Sequence, residues 1–156
     1  WMFGRSLASG VDIVIGNPPY IGQKGHKEIF QEILHTSLGK RFHQRRMDLF
    51  YFFFHLALDI LKNRGHCAYI TTNYFITATY ADKLRLDLKN RAAILKLTNF
   101  NELKIFESAA GQHNAVTFLQ KGVSANQVAE TALTSKTGSA DESILRDIIS
   151  GKDADT

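Results

Sequence analysis

The sequence is poor in cysteine and proline, and it has no long apolar run. The single cysteine, Cys67, excludes an internal disulfide framework and a zinc site built on several cysteines. The densest apolar stretch, from Leu49 to Leu61, is too short to cross a bilayer and is interrupted by His55 and Asp59. We therefore expect a cytoplasmic protein that does not enter the membrane.

The sequence also lacks histidines at the spacing of metal ligands, and it lacks a strong excess of charge of one sign. The six histidines lack a zinc pattern such as His-Glu-x-x-His, so no bound metal is expected. Lysine and arginine outnumber aspartate and glutamate by 19 to 15, a formal charge of +4, which permits a nucleic-acid partner without requiring one. With 44% hydrophobic residues, the 156 residues can bury the core of one domain or of a large piece of one.

Short β-rich runs alternate with amphipathic stretches in the first 121 residues. Strands are predicted at 11–15, 67–71, 94–100 and 115–119, with helices at 26–38, 48–62 and 77–90. Asp48 is predicted to cap the second helix, and residues 63–65, Asn-Arg-Gly, to end it. This order predicts an α/β fold whose mostly parallel sheet carries helices on its faces. The last two strands lack a helix between them, which favours an antiparallel pair.

The composition changes after Lys121. Residues 122–156 are rich in Ala, Ser, Thr, Asp and Gly. We interpret them as a linker or the start of a further domain, with a weak helix near residues 141–150. Residues 1–121 are interpreted as one partial catalytic domain.

Both prolines of the chain lie side by side, in Asn17-Pro18-Pro19-Tyr20. Average usage would give about eight prolines in a chain of this length. The tetrapeptide directly follows the first predicted strand, and ligands of open α/β sheets bind beyond the carboxyl ends of strands. It is therefore the candidate site, although a rigid turn is the plainer interpretation of two adjacent prolines.

The residue types of the tetrapeptide suit the activation of an aromatic amine. Such an amine is a poor nucleophile because its lone pair is delocalised into the ring. Two acceptors, the Asn17 side-chain oxygen and the Pro18 carbonyl, could bind its two N–H groups and free the lone pair to attack an activated methyl group. The prolines fix φ and lack an N–H, which keeps the loop open. Tyr20 offers a face for base stacking, worth roughly 1–3 kcal/mol.

The run Val-Asp-Ile-Val-Ile-Gly-Asn-Pro-Pro-Tyr-Ile at residues 11–21 resembles the catalytic motif of amino-group methyltransferases. Residues 11–121 resemble the catalytic domain of type IIG restriction–modification methylases, which are N6-adenine DNA methyltransferases of the gamma class. Further similar segments lie at 48–50, 57–65, 68–75, 101–106 and 115–119. The resemblance implies the C-terminal portion of a Rossmann-like fold that uses S-adenosylmethionine.

The resemblance also implies roles for single residues. The tetrapeptide would be catalytic, and Asn17 would lie beside the cofactor. Tyr20 would stack on an adenine flipped out of double-stranded DNA, and Tyr80 would pack on the other face of that base. Phe53 would lie near the adenine ring of the cofactor. Lys24 would bind the substrate as one of several basic residues that either contact phosphates or lie in a solvated loop: Lys24, Lys27, Lys40, Arg41, Arg45 and Arg46.

The chain departs from the family in what precedes the motif. The Gly-rich loop and the acidic residue that hold the cofactor are expected upstream, yet only ten residues precede Val11. By itself the chain is therefore expected to be inactive, with an exposed sheet edge that favours a homo-oligomer. Two other functions remain open. They are a protein-glutamine or RNA-amine methyltransferase, and a non-catalytic nucleic-acid-binding module with the same fold.

Overall fold

The computed structural model describes residues 9–107, 113–123 and 128–152. Its helices are α1 Lys27–Leu34, α2 Ser37–Phe42, α3 Phe50–Ile60, α4 Asp82–Arg91 and α5 Glu142–Ser150. Its strands are β1 Val11–Gly16, β2 Leu61–Thr72, β3 Ala92–Asn99, β4 Leu103–Lys104, β5 Asn114–Lys121, β6 Glu130–Leu133 and β7 Gly138–Ser139. Two 3₁₀ turns, Asn73–Ile76 and Thr79–Ala81, precede α4. Within these ranges no helix has the length and apolarity needed to cross a membrane.

Five strands form one sheet in the order β1-β2-β5-β3-β6. β1 pairs in parallel with β2, and β3 pairs in parallel with β6. β5 lies between β2 and β3 and runs antiparallel to both. The α/β class and the mostly parallel sheet are confirmed, and so is the antiparallel pair of β3 and β5. β4 and β7 form a separate two-stranded pair.

The main core lies on the face of the sheet that α3 and α4 cover. The aromatic run of α3 buries Phe50, Phe54 and Leu58, which pack in one cluster with Cys67 and Tyr69 of β2. Each such side chain contributes roughly 1.5–3 kcal/mol when it leaves water. Burial also raises the pKa of the Cys67 thiol to about 12, so this cysteine is an inert core residue. The buried face of α3 is therefore packed directly on β2.

Two predicted boundaries are wrong. The predicted helix at 26–38 is two helices, because Thr36 caps α2 by accepting a bond from Gly39 N–H. The two helices also pack closely at this point, since a Cβ on Gly39 would lie 2.0 Å from the Ile33 carbonyl oxygen. The predicted stop at residues 63–65 lies inside β2, where Arg64 adopts φ of 66° and the register with β1 shifts. That distortion is a bulge, and it replaces the predicted turn.

Residues after Lys121 contribute to the fold. β6 adds a strand beside β3, and α5 packs Ile148 against Phe100 and Leu103. Val116 of β5 joins this second cluster, on the face of the sheet opposite the main core. The division of the chain at Lys121 stays a prediction, and the structure adds that residues beyond it extend the same sheet.

The outer part of the second face is open. Ile13 and Ile15 of β1 are 69% and 79% exposed. Ile15 lies beside Ala68 of β2, which lies beside Phe118 of β5, so an apolar row crosses three strands. Among the described strands only β2 pairs with β1, which leaves the other edge of β1 without a partner.

Candidate active site at the carboxyl end of β1

The tetrapeptide leaves β1 at the edge of the sheet where β1 and β2 both end. Asn17 and Pro19 are exposed, whereas Pro18 is buried. The Pro19 carbonyl accepts a hydrogen bond from Ile21 N–H at 3.1 Å. In the described part of the chain, no group donates to the Pro18 carbonyl or bonds to the Asn17 side chain. The two predicted acceptors thus keep their hydrogen-bonding capacity for another molecule.

Tyr20 is held by its hydroxyl. The hydroxyl donates to the Ile70 carbonyl at 3.1 Å, and the ring meets Phe50 edge-on with centroids 6.4 Å apart. Burial raises the pKa of the Tyr20 phenol, and a hydrogen bond from the Asn114 side chain opposes that rise. Asn114 is fully buried at the start of β5 and also donates to the Thr71 carbonyl at 3.4 Å. The ring is therefore fixed in direction while it stays half-buried.

The loop after the tetrapeptide is tied to the entry of α3. Leu49 N–H donates to the Ile21 carbonyl at 2.8 Å, and Gln23 N–H donates to the Met47 carbonyl at 3.0 Å. Between these bonds Gly22 forms an antiparallel bridge with Asp48. Asp48 therefore does not cap α3, whose capping position is Leu49 and lacks a side-chain bond. Burial raises the pKa of the Asp48 carboxyl.

Tyr80 lies beyond the carboxyl end of β2, the strand next to β1. It sits in the 3₁₀ turn Thr79–Ala81 and is 37% exposed. Arg46 Nη1 donates to the Tyr80 hydroxyl at 3.0 Å, and the guanidinium carbon lies 5.3 Å from the ring centroid. The sequence does not predict this contact of Arg46, since nothing local in it links positions 34 residues apart.

Lys24 lines a cleft of about 870 Å³ beside the same loop. Charged and amide side chains in its wall are Gln23, Lys24, Lys27, Gln31, Arg45, Arg46 and Asp48. Arg41, which the sequence grouped with these basic residues, instead pairs with Asp59 at 2.9 Å. Of the basic residues between 40 and 46, Arg45 and Arg46 thus line the cleft, whereas Arg41 forms an ion pair with α3.

Phe53 is the part-exposed member of the aromatic run on α3. Its neighbours Phe52 and Phe54 are buried, and its carbonyl accepts a bond from the Tyr69 hydroxyl at 3.4 Å. An aromatic ring that stays partly open fits a contact with the planar ring of a cofactor. No hydrogen bond or ring contact joins Phe53 to the tetrapeptide or to Tyr80 in the ranges that the structure describes.

Sequence comparison finds methyltransferases of restriction–modification systems. The type II methyltransferase M.HincII of Haemophilus influenzae is 33% identical over 100 residues, 64% of this chain and 20% of that protein. The type II restriction enzyme and methyltransferase RM.Eco57I of Escherichia coli is 26% identical over 113 residues, 70% of this chain and 11% of that protein. The chain thus spans a fifth or less of the length of these relatives.

Solved structures with the same fold confirm the predicted class, part of a Rossmann-like methyltransferase fold. A nuclease-deletion mutant of the type ISP restriction–modification enzyme LlaGI, in complex with a DNA substrate mimic, matches with a TM-score of 0.65 and 22% identity over 92% of this chain and 16% of that one. A Listeria monocytogenes protein assigned to the class I S-adenosylmethionine-dependent methyltransferases matches with a TM-score of 0.62 and 14% identity over 91% of this chain and 42% of that one.

The family model described as Eco57I restriction-modification methylase matches residues 3–106. That range is 104 of the 156 residues and contains the tetrapeptide, Tyr20, Phe53 and Tyr80. The match therefore covers the part of the sheet that ends at the candidate site. The chain belongs to the Eco57I restriction-modification methylase family.

Proposed function

We propose that this chain provides the target-amine site of a type IIG, gamma-class DNA methyltransferase that modifies the N6 amine of adenine. The observation that carries the proposal is the pair of free acceptors, the Asn17 side-chain oxygen and the Pro18 carbonyl, next to the anchored ring of Tyr20. The names of the relatives support methylation within a restriction–modification system. Because these relatives are at least five times as long as the matched region, we propose the activity for a larger protein that contains this chain.

The two acceptors bind the two N–H groups of the amine and draw its nitrogen toward a tetrahedral geometry. Asn17 and Pro18 stabilise the positive charge that develops on nitrogen, so a strong general base is not required. S-adenosylmethionine supplies the electrophilic methyl group when bound. The Pro19 carbonyl is already engaged by Ile21 N–H, so the Pro18 carbonyl is the acceptor proposed for the amine.

The target base must leave the duplex to reach these acceptors, since its amine is inaccessible within the stack. Tyr20 and Tyr80 extend from the ends of neighbouring parallel strands, and each hydroxyl is hydrogen-bonded while part of the ring is exposed. Two such rings can hold the flipped adenine between them. Phe53 and Asn17 are the residues proposed to contact the cofactor, and double-stranded DNA is the proposed partner.

Asn17→Ala tests the proposal in the whole protein that the gene encodes. Loss of one pre-organised polar group in an active site lowers kcat about 10²–10³-fold, so methyl transfer to DNA should fall by at least that factor. Transfer is measured with labelled S-adenosylmethionine, N6-methyladenine by mass spectrometry, and cofactor binding by calorimetry. Cofactor binding should change little.

Asn90→Ala is the matched control, because Asn90 is exposed on α4 and far along the chain from the tetrapeptide. It should methylate DNA at the normal rate. A normal rate in Asn17→Ala would overturn the mechanism. Methyl groups found on RNA or on a glutamine side chain, with none on adenine, would overturn the substrate and favour an amine methyltransferase of another class.

A further inference from the structure

The cleft beside the loop that follows the tetrapeptide is lined by four cations and one carboxylate. Lys24, Lys27, Arg45 and Arg46 line it, with Asp48 as the acidic residue of the wall. Within the described residues, none of the four forms an ion pair. A cleft with this excess of positive charge fits an anion.

The wall of the cleft is held by Gln23. Its side-chain oxygen accepts from Arg46 N–H at 2.6 Å, its side-chain nitrogen lies 3.0 Å from His43 Nε2, and its own N–H donates to Met47. Arg46 adopts a left-handed backbone with φ of 60°, which a residue with a Cβ adopts only where its surroundings impose it. The backbone conformation of Arg46 is therefore set by the fold, with the bond to Gln23 as one of its restraints.

Arg46 connects the cleft to the base-stacking residue. It lines the cleft, and its Nη1 donates to the Tyr80 hydroxyl at 3.0 Å. The same segment is fastened to α4, because Lys83 Nζ donates to the His43 carbonyl at 2.8 Å. A guanidinium has five N–H donors in a planar fork, so it can hold a phosphate and a phenol together.

We propose that this cleft binds a backbone phosphate of the DNA strand that carries the target base, and that Arg46 is a positioning residue that couples the bound phosphate to Tyr80. The proposal rests on the proposed function and deepens it. Lys24, Lys27 and Arg45 hold the phosphate, and Arg46 holds both the phosphate and the phenol. Binding of the strand then fixes the ring that packs on the flipped base.

Salt dependence tests the cleft without any methylation. Binding of a fluorescein-labelled DNA duplex is measured by anisotropy at several salt concentrations. The slope of log K against log salt is negative, and its magnitude falls by about 0.9 when one phosphate contact is lost. Lys27→Gln and Arg45→Gln should each reduce that magnitude, by no more than about 0.9, because the other cations of the cleft still hold the phosphate. Lys89→Gln, which removes an exposed lysine of α4 outside the cleft, should leave it unchanged. Equal slopes in all three variants would overturn the phosphate site.

Methyl-transfer kinetics of the whole protein test the coupling. Arg46→Lys keeps the charge but loses the fork, and Tyr80→Phe keeps the ring but loses the acceptor. Each should keep the salt slope and lower kcat about 3–10-fold, the effect of losing one hydrogen bond. The double variant should be no slower than the slower single variant, because one shared contact is lost. Effects that multiply would overturn the coupling.

The binding experiment and the kinetic experiment distinguish failure of the cleft proposal from failure of the proposed function. If the protein methylates no DNA but the cleft variants lower the salt slope, the proposed function fails and the phosphate site stands. If methylation is normal in Arg46→Gln and its salt slope is unchanged, the cleft proposal fails and the proposed function stands.

Discussion

Tyr20 combines an anchored hydroxyl with a ring that stays partly exposed. Its hydroxyl donates to the Ile70 carbonyl, and its ring forms a T-shaped pair with Phe50. Neither contact covers the whole ring, which is half-buried. The side chain can therefore stack on a base without being moved into place, and little ordering cost is left for the binding step.

Substitutions at Tyr20 should separate stacking from anchoring. Tyr20→Phe keeps the ring and loses one hydrogen bond, at a cost of about 0.5–1.5 kcal/mol in transition-state binding. Tyr20→Ala also loses stacking, at a further cost of about 1–3 kcal/mol. Both are read from kcat/KM for DNA methylation in the whole protein. If the two variants are equally slow, the ring has no role in binding the base.

At the residue scale, the tetrapeptide could be proposed as a site because its chemistry is contained in four adjacent residues. The prolines, the amide and the phenol suggest their roles without knowledge of the fold, and these roles stay a prediction. Arg46 could not be predicted in the same way. Its contact with Tyr80 depends on how two distant segments meet, and a basic residue in a basic loop carries no sign of such a contact.

The helices α2, α3 and α4 meet at an ion network around the buried His55. Phe42 stacks on His55 with centroids 3.7 Å apart, and His55 Nδ1 lies 2.6 Å from Asp87. Arg91 binds Asp87 and Asp59, each at 2.6 Å. His55 is fully buried, and its Nε2 has no partner among the described residues. A proton added there would be a buried donor without an acceptor.

The network should make stability depend on pH. Burial lowers the pKa of His55 from 6.5, despite the opposing bond to Asp87, so the unfolded chain takes up a proton first as pH falls. The free energy of unfolding should therefore decrease below pH 6.5, by at most about 1.4 kcal/mol per pH unit for this one group. Urea unfolding at pH 7 and pH 5 measures the decrease.

The His55→Gln variant should be less stable than the parent chain at pH 7, but it should lose less stability between pH 7 and pH 5. His35→Gln is the control, because His35 is exposed, and it should lose as much stability as the parent chain. Equal losses in all three would contradict the role of His55. Burial raises the pKa of Asp87, but hydrogen bonds from His55 and Arg91 outweigh it and lower the pKa to about 2. A second decrease in the free energy of unfolding is therefore expected nearer pH 3, where the unfolded chain binds the proton before the folded one.

At the element scale, the sequence predicts which elements exist better than where they end. The strand before the tetrapeptide and the helix of aromatic residues have strong local patterns. Residues 63–65 carry a local turn signal, but pairing of β2 with β1 and β5 outweighs it and turns the signal into a bulge. β6 was missed because Glu-Thr-Ala-Leu at 130–133 has little apolar alternation, and its pairing with β3 depends on a distant strand.

On the scale of the whole molecule, β1 has one edge that no described strand pairs with, and an open apolar face. Ile13 and Ile15 dominate that face, and the row from Ile15 to Phe118 continues it across the sheet. Unpaired strand edges with apolar side chains associate readily in water. The predicted homo-oligomer therefore has a defined candidate surface.

Sedimentation velocity of the isolated chain should show self-association that Ile15→Lys weakens, because a charge on an edge strand opposes pairing. The decrease in association constant should be at least tenfold, about 1.4 kcal/mol. Leu86→Lys is the control, since Leu86 is exposed on α4 away from the sheet edge. A monomeric parent chain, or an equal decrease in the control, would contradict this surface.

The place of β5 sets the order in which the chain can complete its sheet during synthesis. β5 follows β3 in the chain yet lies between β2 and β3, and these two strands do not pair with each other. A ribosome therefore releases β2 and β3 before the strand that joins them exists. The five-stranded order can therefore be completed only after residue 121 has emerged, since β2 and β3 have no strand between them before that point.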